Sequence, residues 1–468
     1  MTSPDAEPQI SHDRPSETPQ ADDYPDIGDY AIIGDCRCAA LISRQGSIDW
    51  LCLPRFDSPS VFAAILDRRR GGYFAIRPTR PATVTRGYID DTNVLETTFR
   101  TDTGLVRLTD LMPVYGRDYN FLIPERHILR VLEAVEGEVE IEVDYRPRLE
   151  YGRVTPRLQD RGPLGLFCQY GGKALVLRSE LPLHLAPEHS GAAGRFVLRA
   201  GEHHHLSLGF TENLPMAMPV LGPQAAALRE RTIGWWRHWI GQCTYEGPFR
   251  REVIRSALTL KLMTYAPSGA VIAAPTSSLP ERIGGNLNWD YRFCWLRDAS
   301  MTLRAFFHLG YGIEAESFLS WLIHSTRLTR PKLQVLYSIY GEAAIEEQTL
   351  GYLTGYRGSQ PVRMGNEAVH QLQLDTYGEV AQAAYEFVLR GGKIDAPTAK
   401  MLQGMGKAVC ELWHHPGSGI WEERGAPKHY TYSKAMCWVA LQRLLQLHEG
   451  GHLQVPANRL RKERDAIR

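Results

Sequence analysis

The chain has 468 residues, of which 43% are hydrophobic and 23% are charged, which excludes collagen-like, coiled-coil and wholly disordered proteins. Basic and acidic residues number 53 each, so the formal net charge is zero, whereas nucleic-acid binders usually carry a basic excess. No apolar run approaches the roughly 18 residues of a membrane span. We therefore expect a globular protein with neither a nucleic-acid nor a membrane partner.

The N-terminus and the cysteines bear on location and on metal binding. Residues 1–25 are rich in Pro, Ser, Asp and Glu and lack a basic and apolar leader, so we expect a disordered tail and a cytoplasmic protein with reduced thiols. The eight cysteines show no zinc-site spacing, and we interpret Cys36 and Cys38 as buried strand positions. His203–His205 lie in a row on a predicted strand, where neighbours point to opposite faces. We expect neither a metal nor a cofactor.

From about Tyr30 to Asn213 the pattern is typical of β-structure. In Glu138–Tyr145 apolar residues alternate with acidic ones, which predicts a half-buried antiparallel strand. Turn signals recur at Arg44–Gly46, Asp102–Gly104 and Glu136–Gly137, each between apolar segments. Further strands are predicted at Tyr73–Ile76, Ala193–Leu198 and His205–Phe210. Many short strands joined by turns favour an antiparallel β-sandwich.

The pattern becomes helical after Pro223. A linker helix is predicted over Gln224–Gln242, and from Phe249 onward apolar residues recur every three or four positions. Further helices are predicted over Asp298–Leu309, Ile313–Ser325, Gln371–Leu389, Pro397–Trp413 and Tyr432–His448. Gly-, Pro- and aromatic-rich loops separate them, so we expect antiparallel helix pairs with the polar chemistry on the connecting loops.

The run Asn288–Asp298 contains the residue types that bind a sugar ring. Trp295 supplies a flat apolar face, Arg297 a fork of hydrogen-bond donors and Asp298 a carboxylate acceptor, and a pyranose needs all three. The alternative is structural, with Asp298 as a helix N-cap and Arg297 as its ion-pair partner.

A second run, Gly419–Gly425, places Glu422 and Glu423 directly after Trp421. A carboxyl group packed against an aromatic ring is poorly solvated and can keep its proton near neutral pH. The acid that cleaves a glycosidic bond needs such an environment. The alternative is a solvated pair of carboxylates bridged to Arg424.

A third run, Gly355–Asn366, combines Gly and Pro with hydroxyl-binding side chains such as Arg363. Gln371, Gln373 and Asp375 follow it. The pattern is weak in isolation, because many loops are built from these residue types.

In this order the motifs resemble glycoside hydrolase family 15, in its bacterial branch of trehalases and glucoamylase-like enzymes. Residues 27–35 and 46–59 are similar to the trehalase-like N-terminal domain, and residues 273–281, 288–298, 358–375 and 433–440 are similar to the catalytic domain. The resemblance implies an N-terminal β-sandwich, placed at 26–222, and a catalytic (α/α)6 barrel of twelve helices, placed at 248–468. With the tail at 1–25 and the linker helix at 223–247, both predicted from the residue pattern, these divide the chain.

The resemblance also implies a function and a site. The reaction would be hydrolysis of an α-glucosidic bond with inversion, on trehalose or on the ends of α-1,4-glucans. Glu422 would be the general acid. The carbohydrate would be bound by Trp295, Arg297, Asp298, Arg363, Trp421 and Glu423.

One departure from the family pattern leaves alternatives open. The family's general base lies well beyond the motif at 433–440, and we find no counterpart before Arg468. We count six or seven helical segments after residue 248, where the barrel needs twelve, so we expect an incomplete barrel. The chain could be an active hydrolase, a catalytically impaired relative that binds carbohydrate without a base, or a part completed by a C-terminal fragment or by self-association.

Overall fold

A computed structural model describes residues 24–116, 123–124, 126–212 and 218–467. The tail expected at 1–25 lies almost entirely outside these residues. Among the helices of the described ranges, none has the length and the apolar character that crossing a membrane requires.

The first half of the chain forms an antiparallel β-sheet domain, as predicted. Its strands are Ala31–Gly34, Ala39–Ile42, Ser47–Cys52, Ser60–Phe62, Tyr73–Pro78, Thr83–Tyr88, Leu95–Arg100, Gly104–Leu111, Val114–Tyr115, Ile123–Pro124, His127–Arg146, Gln159–Asp160, Leu166–Tyr170, Lys173–Ser179, His184–Leu185, Ala192–Arg199 and His203–Thr211. Three of them contain the short strands predicted from the sequence. Some consecutive strands, such as Thr83–Tyr88 and Leu95–Arg100, pair as hairpins, whereas the pairing of His127–Arg146 with His203–Thr211 joins distant segments, and the turn predicted at Glu136–Gly137 lies inside the strand His127–Arg146.

The long strand His127–Arg146 organises the domain. Its first half pairs with Gly104–Leu111 and His203–Thr211, and its second half pairs with Tyr73–Pro78 and Ala192–Arg199. The apolar side chains of its alternating segment are buried and the glutamates between them are less so. The predicted half-buried strand at Glu138–Tyr145 is confirmed.

Cys36 and Cys38 are buried, but they are not strand residues. Both lie in the connection between Ala31–Gly34 and Ala39–Ile42, where Cys36 has a φ of 60°. The prediction of strand positions was wrong because burial alone does not distinguish a tight turn covered by another domain from a strand.

The predicted linker helix extends over Gly222–Ile240, with Pro223 in its first turn, where the missing N–H is tolerated. Trp235, Trp236 and Trp239 are buried in the core of the helical part. The Thr232 hydroxyl meets the backbone of Val114 in the β domain. The helix therefore packs against both halves of the chain.

Seven helices follow in the described part of the chain. They are Arg250–Leu262, Leu296–Leu309, Ile313–Ser325, Asp375–Leu389, Ala396–Leu412, Thr431–Glu449 and Ala457–Ile467. The predicted helices are confirmed to within a few residues, except that Gln371–Leu374 precede the fourth helix instead of opening it. Short strands at Ser277–Pro280, Asn288–Asp290, Cys294–Trp295, Leu336–Tyr337, Gln348–Thr349 and Arg363–Met364 stiffen the loops.

The helices form two rows. Leu296–Leu309, Asp375–Leu389 and Thr431–Glu449 pack side by side, and Ile313–Ser325, Ala396–Leu412 and Ala457–Ile467 pack against them as a second row. Their apolar faces share one core, which Phe56 and Val114 of the β domain also enter. The loops before the first-row helices meet at one end of the bundle and form the site described next.

Candidate active site

A concavity of about 590 Å³ opens where these loops meet. Six of the seven residues predicted for catalysis or sugar binding line it: Trp295, Arg297, Asp298, Trp421, Glu422 and Glu423. The sequence separates these residues into two runs, and the fold brings both runs to one cavity.

The Glu422 carboxyl group is held by three donors on one oxygen. Its Oε1 accepts hydrogen bonds from Trp295 Nε1 at 2.6 Å, Arg297 Nη2 at 3.2 Å and Gln373 Nε2 at 3.2 Å. No described residue donates to Oε2. The backbone of Glu422 has a φ of 55°, a left-handed conformation that is unfavourable for a non-glycine residue and is often found at functional sites.

The indole that contacts the Glu422 carboxyl group belongs to Trp295, not to its sequence neighbour Trp421. Trp421 is 83% exposed, whereas Trp295 is 1% exposed and donates to the carboxylate. The expectation that Glu422 packs against Trp421 was wrong because residues adjacent in a loop point in different directions. Trp421 lies at the rim of the concavity.

Arg297 connects the acid to a buried carboxylate. Its Nη1 donates to Gln373 Oε1 at 2.6 Å and to Asp375 Oδ2 at 3.2 Å, and Asp375 is fully buried. Burial disfavours the charge on Arg297, but the carboxylates of Asp298, Asp375 and Glu422 outweigh it and raise its pKa. The guanidinium is therefore a fixed cation at the base of the site.

Asp298 lies in the first turn of the helix Leu296–Leu309 and is not its N-cap, a position that Trp295 occupies. Its side chain is half-exposed to the concavity, and its Oδ2 is 3.7 Å from Arg297 Nη2. Burial raises the pKa of Asp298, although the Arg297 charge opposes this. The carboxylate can accept hydrogen bonds from a ligand in the cavity.

Arg363 and Glu423 are engaged with other protein groups. Arg363 donates to the backbone oxygens of Asn286 and Asn288 at 2.9 and 3.0 Å. It is not among the described residues that line the concavity. Glu423 is at the rim and accepts a 2.8 Å hydrogen bond from Lys428, which lowers the pKa of Glu423.

Several wall residues were not singled out as site residues from the sequence. They are Glu281, Leu287, Trp289 and Tyr291, whereas Asn366 and Gln371, which also line the cavity, belong to the weak third run of the sequence. Trp289 and Tyr291 belong to the aromatic run that contains Trp295, and their position two residues apart on an extended segment is a signal that could have placed both on one wall. Burial, with the Glu422 charge, raises the pKa of Tyr291 to about 12, so it is a neutral donor near pH 7.

Comparison with protein families gives two matches. Residues 247–468 match the glycosyl hydrolases family 15, and residues 20–180 match the trehalase-like N-terminal family. A carboxyl group fixed by Trp and Arg donors in a cavity at one end of a helical bundle, with these matches, defines a glycoside hydrolase. The chain belongs to the glycosyl hydrolases family 15.

Curated relatives are similar over nearly the whole chain. A trehalase of Thermoplasma volcanium is 35% identical over 95% of this chain and 70% of its own length. Trehalases of Mycolicibacterium smegmatis and Thermoplasma acidophilum are each 36% identical over 91% of this chain and over 66% and 72% of their own lengths. The chain thus spans about two thirds of the length of these relatives.

Proposed function

We propose that the chain hydrolyses the α-glucosidic bond of trehalose, with inversion and with Glu422 as the general acid. The observation that carries the proposal is the fixed Glu422 carboxyl group in the wall of the cavity. Because Oε1 already accepts three hydrogen bonds, the proton to be transferred belongs on Oε2. From there it can pass to the departing glycosidic oxygen as a water molecule bonds to the anomeric carbon and gives its own proton to a carboxylate base on the opposite face of the ring, a role that none of the residues identified from the sequence fills.

Arg297 and Asp298 are proposed to hold the glucosyl unit beside this acid, and Trp295, which is only 1% exposed, is proposed to act through its hydrogen bond to Glu422. Arg297 offers donors and Asp298 an acceptor at the cavity wall, and this pairing suits neighbouring sugar hydroxyls. Trp421 and Glu423, at the rim of the cavity, are proposed to contact the second sugar. Arg363, which does not line the cavity, is proposed to act through Trp289, a residue of the cavity wall on which its guanidinium stacks. The relatives named trehalase favour trehalose over α-1,4-glucans as the substrate.

We also propose the domain division at 26–222, 223–247 and 248–468, and a barrel arrangement for the last of these. The support is the alternation of first-row and second-row helices along the chain, which is the connectivity of an (α/α)6 barrel. A cytoplasmic location and association with another copy or with a complementing fragment stay predictions from the sequence.

The test is glucose release by the purified chain from trehalose and from maltotriose. We expect release from trehalose, with α- and β-glucose appearing in equal amounts by NMR before mutarotation, because only the attacked glucosyl unit is inverted, and a loss of roughly 10³-fold or more in Glu422→Gln. The matched control is Glu449→Gln, which removes an exposed carboxylate paired with Arg461. Undiminished hydrolysis in Glu422→Gln would overturn the acid assignment, and release from maltotriose alone would overturn the substrate.

A further inference from the structure

Two arginines stack on one wall residue of the cavity. The guanidinium carbon of Arg363 lies 4.3 Å from the ring centroid of Trp289, and that of Arg424 lies 4.0 Å from it. Cation–π contacts of this kind favour a single orientation of the indole. The Trp289 wall is therefore held by two cations from different loops.

Both arginines converge on the carboxylate of Glu347. Arg424 donates from Nη1 to Oε1 at 3.0 Å and from Nη2 to Oε2 at 2.5 Å, and Arg363 Nε is 3.1 Å from Oε1. The backbone N–H of Glu367 donates to Oε2 at 3.1 Å. Both oxygens of Glu347 are thus used, and its side chain is only 13% exposed.

Arg424 is two residues from Glu422, whose carboxyl group is itself held by Trp295, Arg297 and Gln373. In the segment 417–428, which contains both residues, the side chains of Trp421, Glu423 and Arg424 are exposed. The backbone of the segment is held by a bridge between Gly417 and Lys428, by the Ser418 N–H, which donates to the Leu372 carbonyl at 3.0 Å, and by a 3.1 Å hydrogen bond from Gln371 Nε2 to the Glu422 carbonyl. None of these bonds reaches Arg424 itself.

The unfavourable φ of Glu422 persists only if its surroundings impose it. An isolated exposed ion pair would contribute little to holding Glu422 in this backbone conformation. The contact between Arg424 and Glu347 is bidentate, and Arg363 shares the same carboxylate. The Arg424 guanidinium also stacks on the Trp289 indole. Such geometry fixes the orientation of the Arg424 side chain as well as its distance from Glu347.

We propose that Glu347 is a positioning residue, which through Arg424 fixes the segment that carries Glu422 against the Trp289 wall. The inference rests on the proposed function, since it gives Glu347 a part in the same reaction. Glu347 is not among the described residues that line the cavity, so it acts through other side chains.

Amide hydrogen exchange tests the proposal without requiring turnover. In Glu347→Gln we expect exchange in the segment 417–428 to rise on the order of tenfold, at amides such as those of Ser418 and Lys428, which are hydrogen-bonded to Leu372 and Gly417. The matched control Glu449→Gln should leave this segment unchanged. Unchanged exchange in Glu347→Gln would overturn the proposal.

Kinetics separate this inference from the proposed function. If the parent chain hydrolyses trehalose, kcat should fall roughly tenfold in Glu347→Gln with KM within about twofold. An unchanged kcat would overturn the positioning role, whereas a parent chain that cleaves no trehalose would overturn the proposed function alone.

A second pair of variants guards against misfolding. Arg424→Met removes the same contact from a more exposed position, and it should reproduce the increase in exchange. Glu347→Gln combined with Arg424→Met should raise exchange by less than the sum of the two single variants, because both break the contact between Glu347 and Arg424. Additive increases in exchange would contradict a shared role.

Discussion

The guanidinium of Arg292 and the carboxylate of Asp290 form a fully buried ion pair, with Nη2 and Oδ2 at 2.6 Å. The remaining Arg292 donors reach into the β domain, to the Ser58 carbonyl at 2.8 Å and the Tyr151 hydroxyl at 2.7 Å. Asp290 in turn accepts the backbone N–H of Gly365 at 3.1 Å. Because Trp289 and Tyr291 flank Asp290, the β domain fixes one wall of the cavity through this pair.

Replacing Arg292 with Met should destabilise the protein by about 3–5 kcal/mol, because it leaves the Asp290 carboxylate buried without its cation. Urea unfolding followed by circular dichroism measures this. The control is Arg80→Met, whose pair with Asp102 is exposed on both sides and should change stability by less than about 0.5 kcal/mol. Equal losses of unfolding free energy in the two variants would show that burial does not make the Arg292–Asp290 pair more important for stability than an exposed pair.

The architecture could largely be predicted from the sequence, because helix and strand periodicities are local signals. The helix Ile313–Ser325 was predicted with its exact bounds, and the alternation in Glu138–Tyr145 identified its buried face. The same locality explains the error at Cys36 and Cys38, where burial comes from the packing of distant chain segments.

The site could be predicted only as residue types. Trp295 and Glu422 are 127 residues apart, so no spacing indicates that the Trp295 indole holds the acid, and the neighbouring Trp421 was the natural but wrong choice. Glu347 and Arg424 are 77 residues apart, and nothing in the isolated sequence joins them. Such contacts are set by helix packing and loop geometry, which single-sequence patterns do not encode.

Replacing Trp295 with Phe tests the contact to the acid. The ring remains, but Oε1 of Glu422 loses its shortest hydrogen bond, and removing one partner from a polar group in such a site costs about 1–3 kcal/mol. We expect trehalose hydrolysis to fall roughly 10- to 100-fold in kcat. Trp413→Phe is the matched control, since it removes an indole–carboxylate bond to Glu463 outside the site. If the two variants retained equal activity, the Trp295 contact would have no part in catalysis.

Two glycines of one loop, Gly358 and Gly365, allow the cost of a left-handed backbone to be measured separately from the cost of a steric clash with a neighbouring segment. Gly365 and Gly358 both have a φ of 77°, but a Cβ at Gly365 would lie 1.8 Å from the Glu346 carbonyl oxygen, whereas one at Gly358 meets nothing within 4 Å. Both alanine variants should suffer the left-handed strain of about 1–2 kcal/mol.

Only Gly365→Ala should also displace the backbone of Glu346 and the strand Gln348–Thr349 that follows it. We therefore expect a larger loss of unfolding free energy in Gly365→Ala than in Gly358→Ala, with faster amide exchange around residues 346–349. Equal losses in thermal unfolding would indicate that the strand can shift without cost.

The carboxylate of Glu314 predicts a pH dependence of stability. It accepts hydrogen bonds from Trp239 Nε1 at 2.8 Å and Lys261 Nζ at 2.9 Å. Burial raises the pKa of Glu314, but the Lys261 charge and these hydrogen bonds outweigh it and hold the pKa below its ordinary value. A depressed pKa in the folded state means that this stabilisation is present above the unfolded value near 4.3 and is lost as the pH falls through the folded value.

Glu314→Gln should therefore destabilise the protein by roughly 3 kcal/mol at pH 7, because Lys261 loses its buried partner. The difference from the parent chain should shrink as the pH falls below about 4, because a protonated Glu314 resembles glutamine. Urea unfolding at pH 7 and pH 3.5 measures both differences, with Glu449→Gln as the exposed control. A difference that stays constant between the two pH values would contradict a charged Glu314 in the folded protein.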